Sequence, residues 1–331
     1  MRLALSLRYQ YVFLIDRMAQ FEFCWGHDGR YNDFSNYCRK RFDGRVQKIS
    51  VDAGFTCPNR DGMKSVRGCT YCNNRSFNPG YCRMHGSIRD QIREGINFFA
   101  RKYPSMQFLA YFQAYSNTYA KLGVLRDRYE EALSQPGITG LVIGTRPDCI
   151  NAEILDYLEE LSRSYYIMVE FGVESVKDET LERINRGHTF ADSVWAIEET
   201  ARRNILNCAH LILGLPGEGP EDIQEQAKVI SKLPVNNLKL HQLQIHKGTR
   251  MAIEYASDPG KFNLFSVEGY LELLVGYLEC LNPDIVVERF VSQAPSDMVI
   301  APKWGLKNFE FTAMLQKKLK EKNTWQGRFF K

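Results

Sequence analysis

Between Val46 and Leu243 short apolar runs alternate with amphipathic stretches, and this alternation restricts the chain to an α/β architecture. The runs expected as strands are Val46–Val51, Gln107–Gln113, Gly140–Gly144, Tyr166–Gly172, Asn207–Leu213 and Asn237–Leu243. They are short and mostly apolar, as parallel strands covered on at least one face are. Helical periodicity fills the gaps. Asn151 is placed to N-cap a helix with Ile154, Leu155, Leu158 and Leu161 on one face. Thr189 is placed to cap another, carrying Phe190, Val194, Ile197 and Ala201, and Pro220 suits a first turn ahead of Ile223, Ala227 and Ile230. A full eight-stranded barrel takes about 250 residues. The repeat here is shorter, so the expected fold is a partial (β/α)6 barrel over 46–250 with a lateral opening. An N-terminal extension over 1–45 precedes it and a basic C-terminal α/β extension over 251–331 follows. Within that extension Ser266–Leu281 and Asn308–Glu321 read as helices and Ile285–Glu288 as a short strand. Residues 1–17 differ in character from the rest of the chain, and Met18 is a candidate start.

Functional groups in such folds gather at the carboxyl ends of the strands. Directly after the first expected strand come Cys57, Cys69 and Cys72, the last two as Cys-Thr-Tyr-Cys. Three thiolates can hold three irons of a four-iron cluster and leave the fourth iron an open position. A Cys-x2-Cys pair with Cys82 nearby is equally a zinc signature, and unrelated buried thiols are a third reading. The cysteines alone leave all three open.

The other strand ends are also polar. The second is followed by Gln113-Ala114-Tyr115-Ser116-Asn117-Thr118, and the third by Thr145-Arg146-Pro147-Asp148, where Arg and Asp also suit a structural ion pair. Glu170 and Glu174 fall on one face of the fourth, and a carboxylate inside a barrel needs a partner, for which Arg186 is one candidate. His188 reads first as a hydrogen-bonding residue at a helix start. The fifth strand runs into Gly214-Leu215-Pro216-Gly217, where glycine permits a flat ring to approach the backbone, and the sixth into Gln244 and His246.

Taken in order, these segments resemble the radical S-adenosylmethionine (SAM) enzymes. The widely spaced cysteines, the Gln-Ala-Tyr-Ser-Asn-Thr loop, the Gly172-Val-Glu-Ser … Arg186-Gly-His-Thr run and Ala301-Pro-Lys-Trp-Gly305 are similar to the YhcC/YtqA family in the Elp3-like branch. The Gly-Gly-Glu form of the second loop, frequent in radical SAM proteins, is absent. The resemblance implies a [4Fe–4S] cluster on Cys57, Cys69 and Cys72 as the catalytic metal centre. It implies SAM contacts from Gln113, Ser116, Asn117, Glu170, Glu174, Arg186, Gly214 and Gln244. It further implies reductive SAM cleavage to a 5′-deoxyadenosyl radical, fed by a one-electron donor of flavodoxin or ferredoxin type. Cys82, Cys149 and Cys208 lack the spacing of a second cluster and read as structural.

Because Elp3 works on wobble uridines, the resemblance implies a tRNA wobble-uridine modification. No stretch reads as an acetyl-CoA-binding domain, so the implied reaction is not an acetyl transfer. A small-molecule substrate such as a tetrapyrrole is the competing enzymatic reading, and a zinc-stabilised RNA-binding protein the non-enzymatic one. The net charge of +4 is too small to identify a nucleic-acid partner. Two basic groups do agree with one, Arg39, Lys40, Arg41, Arg45 and Lys48 and the aromatic-rich tail from Lys317 to Lys331, although a solvated helix face and a frayed terminus explain the tail taken alone better. No apolar run is long enough to span a membrane. Nine cysteines without a secretory signal fit reduced thiols and a cytoplasmic location.

Overall fold

A computed structural model of the chain describes residues 23–74, 79–84, 86–100, 106–292 and 294–331. The unusual residues 1–17 and the candidate start Met18 lie outside the described residues.

Six strands form where the apolar runs predict them. They are β1 (Val46–Val51), β2 (Gln107–Phe112), β3 (Ile138–Thr145), β4 (Tyr166–Glu174), β5 (Leu206–Leu213) and β6 (Asn237–Gln242). All pair in parallel and in sequence order. The intervening helices start where the capping signals stand. Asn151 Oδ1 accepts from the Ile154 amide at 2.9 Å, and Thr189 and Asp192 form a reciprocal capping box. Pro220 opens its helix, where a missing N–H costs nothing.

The sheet has a seventh strand. After β6 the chain passes through β7 (Ile245–His246) and two helices, Arg250–Ser257 and Val267–Cys280, then returns as β8 (Val286–Arg289), parallel to β6. The short strand expected within the C-terminal extension therefore extends the barrel sheet. Its polar half, Glu288 and Arg289, disguises its place in the barrel rather than its existence as a strand. The sheet curls until its edges meet through side chains, Lys48 Nζ of β1 lying 2.7 Å from Glu288 Oε2 of β8. A small antiparallel pair, β7 with β9 (Val299–Ala301), sits beside this edge.

Strand parity separates two interiors. Ile49, Val51, Ala110, Phe112, Leu141, Ile143, Val169, Phe171, Ala209, Leu211, Leu238 and Leu240 face outward into the main core beneath the helices. Each fully buried Leu, Ile or Phe there contributes about 1.5–3 kcal/mol. The alternate residues face the barrel axis, where Leu109, Tyr111, Val142, Met168 and Cys208 share space with the charged side chains of Lys48, Glu170 and Lys239.

The C-terminal helix Asn308–Glu321 buries Phe311, Leu315 and Leu319. Beyond it Gln326 is buried, with its amide nitrogen donating to the carbonyls of Asn282 and Ile285, so the basic tail is tied into the fold. No helix among the described residues is long and apolar enough to cross a membrane.

Candidate active site

A cavity of about 200 Å³ opens at the carboxyl ends of the strands. Cys57, Cys69 and Cys72 line it, as do Gln113, Ser116, Glu170, Glu174, Arg186 and Gln244. Two expected contacts fall elsewhere. Asn117 is fully buried and donates to the carbonyls of Phe112 and Gly144, so it clamps β2 to β3. Gly214 packs against Phe265 outside the cavity lining. Cys82, Cys149 and Cys208 are buried and outside the lining too.

The cysteine loop is held by the turn after the short helix Asp178–Arg183 that follows β4. Asn59 Nδ2 donates to the carbonyls of Asn185 and Arg186 at 2.7 and 2.9 Å, and Asn185 Nδ2 donates back to the Gly68 carbonyl at 2.8 Å. Gly187 makes this approach feasible. Its φ is +71°, and a Cβ there would stand 2.7 Å from Asn59 Oδ1. Arg250 adds a further bond to the Gly68 carbonyl at 3.0 Å.

Arg186 is the central cation. Its Nη2 donates to the Gly172 carbonyl at 2.6 Å and lies 3.5 Å from Glu174 Oε1, while Nη1 donates to Cys69 Sγ at 3.6 Å. Asn59 Nδ2 also approaches that sulfur, at 3.5 Å. Burial opposes the charge on Arg186, yet the acidic groups around it, with Tyr71, Cys69 and Glu174 foremost, raise its pKa well above the ordinary value. Gly172 leaves the necessary room, because a Cβ would lie 2.6 Å from Arg186 Nη2. The Arg146–Asp148 pair behind it is bidentate, at 2.9 Å on both arms, and Arg146 Nη1 supports the Arg186 carbonyl at 2.7 Å. His188 sits at the helix start with Nδ1 2.9 Å from the Thr189 carbonyl. Burial and then Arg186 lower its pKa to about 3, so it is neutral at physiological pH.

Glu170 lies deeper. It is fully buried, with one oxygen bonded by Lys48 and Lys239 and the other by His210. Burial disfavours its charge, but the two ammonium groups outweigh burial and hold its pKa well below the ordinary value. Lys48, Lys239 and His210 escape a reading based on strand ends because they lie within strands, and Glu288 and Arg289 because they close a strand expected outside the barrel. The signal for the lysines was a cation interrupting an apolar strand.

Donor atoms within 4.8 Å of one another occur, among groups of three potential ligands in the described residues, only at Glu170, Cys208 and His210. The three loop cysteines are thus spread wider than the roughly 3.8 Å between sulfurs on a tetrahedral zinc with 2.3 Å bonds. Donor groups aimed at Cys69 Sγ suit a thiolate ligand of an iron–sulfur cluster. Gln244 Oε1 and Arg186 Nε are buried without a partner among the described residues, in side chains that line the same cavity. Polar atoms in that state are open to hydrogen bonding with a polar ligand in the cavity. The residues present therefore fit a cluster with a polar co-ligand.

Comparison with known proteins agrees with this chemistry. The Radical SAM superfamily model matches residues 62–230, and the Radical_SAM C-terminal domain model matches 235–321. The chain belongs to the radical SAM superfamily and, within it, to the family of YtqA and YhcC. It is 34% identical over 301 residues to YtqA of Bacillus subtilis, covering 91% of this chain and 93% of YtqA. It is 27% identical over 196 residues to a tRNA uridine(34) acetyltransferase of Dehalococcoides mccartyi, covering 56% of this chain and 40% of that enzyme. The fold matches archaeal Methanocaldococcus infernus Elp3 lacking its N-terminus, with a TM-score of 0.65 at 16% identity. That match covers 85% of this chain and 64% of the Elp3 chain, just under two thirds of its length. The chain is accordingly a radical SAM enzyme, and members of its superfamily generally use a [4Fe–4S] cluster and SAM.

Proposed function

We propose that the chain holds a [4Fe–4S] cluster on Cys57, Cys69 and Cys72 and directs SAM-derived radical chemistry at a wobble uridine of tRNA. The observation that carries the cluster assignment is the loop itself, three cysteines on one cavity wall with Arg186 and Asn59 donating to Cys69 Sγ. When bound and reduced by a flavodoxin- or ferredoxin-type donor, the cluster supplies the electron that splits SAM into methionine and a 5′-deoxyadenosyl radical.

The chain's own residues do the rest. Arg186 and Asn59 donate to Cys69 Sγ and orient it. Gln113, Ser116 and Gln244 offer uncharged hydrogen-bonding groups to the polar ends of SAM, and Glu174 offers a carboxylate to its ammonium or ribose hydroxyls. Tyr71, Ile212 and Leu243 give the wall an apolar portion that limits water and stray hydrogen donors.

The tRNA assignment rests on the relation to a tRNA uridine(34) acetyltransferase, on the fold shared with Elp3, and on surface chemistry. Lys317, Lys320 and Lys331 are exposed, as are the rings of Phe329 and Phe330, a combination that suits a phosphate backbone and unstacked bases, although Lys317 also lies 3.7 Å from Glu321. Lys318 and Lys322 are taken by Glu272, and Lys48 points into the barrel, so only part of each basic group serves.

The test is anaerobic reconstitution with iron and sulfide, reduction, and measurement of 5′-deoxyadenosine from SAM with and without bulk tRNA. Formation that accelerates severalfold with tRNA supports the whole reading. Formation indifferent to tRNA removes the tRNA assignment and favours a small-molecule substrate. A chain that takes up zinc in place of iron and forms no nucleoside overturns the cluster assignment.

A further inference from the structure

Deep in the barrel, two lysines and two glutamates balance one another. Lys48 Nζ lies 2.7 Å from Glu170 Oε1 and 2.7 Å from Glu288 Oε2. Lys239 Nζ lies 2.5 Å from Glu170 Oε1 and 3.3 Å from Glu288 Oε2. Two positive and two negative charges cancel. The histidines add none at neutral pH. Burial and then Lys239 lower the pKa of His210, and burial and then Arg289 push that of His241 well below the ordinary value.

Arg289 is the charge left over. It follows Glu288 directly, and a register shift opposite Leu238 and Lys239 lets both consecutive residues face the interior. Bulges re-aim side chains in this way beside functional sites. Arg289 Nη2 donates to His241 Nε2 at 2.9 Å, and its Nε is buried without a partner among the described residues. No carboxylate among the described residues stands within ion-pair distance of it; the same holds for Arg60 on the cysteine loop, which bonds the Cys72 carbonyl, whereas Lys48, Lys239, Arg146 and Arg186 each have one. Arg289 is half-buried with its Nε out of solvent, and a guanidinium partly withdrawn from water without a counter-charge carries a desolvation cost. The fold accepts that cost on the wall of the cavity that also holds the three cysteines, beside His241, Gln242 and Ser292. A second cavity of about 330 Å³ shares Gln242, Gln244 and Ser292 with the first and is lined by Lys303, Trp304 and Lys307.

We propose that Arg289, held by His241 and flanked by Ser292, binds an anionic group of the substrate, a carboxylate or a phosphate, which enters through the second cavity. The guanidinium fork suits either oxyanion. The neutral His241 fixes Arg289 without competing for the anion, and Lys303 and Lys307 extend the positive field outward. The proposal rests on the preceding reading only in taking the bound molecule for the substrate of the radical reaction.

The test uses the iron-reconstituted full chain with acetate, inorganic phosphate and the neutral isostere acetamide, following the His241 ring nitrogens by NMR. Iron content is measured separately, so failure of the cluster assignment and failure of the anion site are distinguishable. Acetate or phosphate is expected to shift the His241 signals saturably, acetamide to leave them in place, R289Q to weaken the response at least about tenfold, and R289K to fall between. A stronger response to acetate identifies a carboxylate on the substrate, and a stronger response to phosphate a nucleotide or backbone source. The comparison of acetate with acetamide needs no variant and survives any misfolding of R289Q. Equal titration of R289Q and wild type, an acetamide response equal to acetate, or no response up to about 0.1 M, where even a millimolar site is filled, overturns the proposal. Saturating SAM that abolishes the acetate response also overturns it, because the SAM carboxylate would then be the occupant.

Discussion

The Arg186 guanidinium reaches Cys69 Sγ at 3.6 Å across 117 positions of sequence. The same side chain ties to the Gly172 carbonyl at 2.6 Å, so the thiol and the end of β4 share one cation. A donor fixed in this way orients a ligand sulfur. Loss of such supporting groups typically costs about 10–100-fold in metal affinity. R186Q is therefore expected to retain markedly less iron after reconstitution and gel filtration, and R186K an intermediate amount. Iron per chain and the melting temperature should be measured together. A folded R186Q protein with full iron occupancy would show that the contact does not support the ligand.

Cys72→Ala removes one of the three cavity thiols but little of the core, since the loop is held by Asn59, Asn185 and Arg250. It should abolish iron loading and SAM cleavage while melting within a few degrees of the metal-free wild type. Cys82→Ala and Cys149→Ala alter thiols outside the cavity and should keep the iron. Iron retained in C72A together with loss in C82A would shift the ligand set.

Gly187 tests the loop's geometry by itself. Alanine there meets both a left-handed backbone at φ +71° and the Asn59 carboxamide oxygen at 2.7 Å. The expected cost is about 1–3 kcal/mol, read by urea denaturation of metal-free protein. Asn59 also contacts Cys69, so G187A should lower iron occupancy as well. An unchanged midpoint would mean that the turn relaxes freely.

The Arg146–Asp148 pair makes a pH prediction. Burial would raise the Asp148 pKa, but hydrogen bonds and charge from Arg146, then Lys64, lower it to about 2. The unfolded chain titrates this carboxyl near ~3.9. A lowered folded value stabilises fully above about pH 4 and is lost as pH falls through about 2. D148N should thus be less stable than wild type by about 2 kcal/mol at pH 7, with the gap narrowing as pH drops from 4 towards 2. A gap that stays constant across that range would show that charge is not the source.

Deletion of the basic tail is a poor probe of tRNA binding. Thr324 and Gln326 are fully or almost fully buried and Gln326 bonds to the Asn282 and Ile285 carbonyls, so truncation from Lys317 would open the core. K317Q/K320Q/K331Q changes three exposed charges and leaves those contacts alone. It should weaken tRNA binding and flatten its salt dependence, each lost phosphate contact reducing the slope by roughly 0.7–0.9. Unchanged affinity and slope would return these lysines to a solvated face.

How much of the fold and site was legible in the sequence depends on which residues announce themselves locally. β2 to β5 are mostly apolar runs and β1 and β6 alternate apolar with polar residues, while Asn151, Thr189 and Pro220 carry helix starts in their own chemistry. The three cysteines and Arg186 were visible because they follow strands. β8 was not visible as a barrel strand, since its polar half faces an ionic interior and its register slips beside β6. Asn117 and Gly214 illustrate the opposite failure. A strand end supplies polar side chains both to the cavity and to the backbone that frames it, and spacing does not say which. The partners of Glu170 come from β1, β5 and β6, so only the curled sheet brings them together.

That ionic interior gives the sharpest stability prediction. Lys239 bridges Glu170 and Glu288 from the barrel axis, and both carboxylates are almost completely removed from solvent. K239M keeps the volume but leaves two buried carboxylates with Lys48 as their shared cation. Breaking a buried pair from one side typically costs about 3–5 kcal/mol, far more than losing the pair as a unit. K239M alone should therefore lower the urea midpoint strongly, and K239M/E170Q should recover part of the loss because the unpaired charge is gone. The recovery is the discriminating quantity, measured as a double-mutant cycle. If the double variant is as unstable as the sum of the singles, Lys239 acts through packing, and the charge balance that isolates Arg289 loses its support.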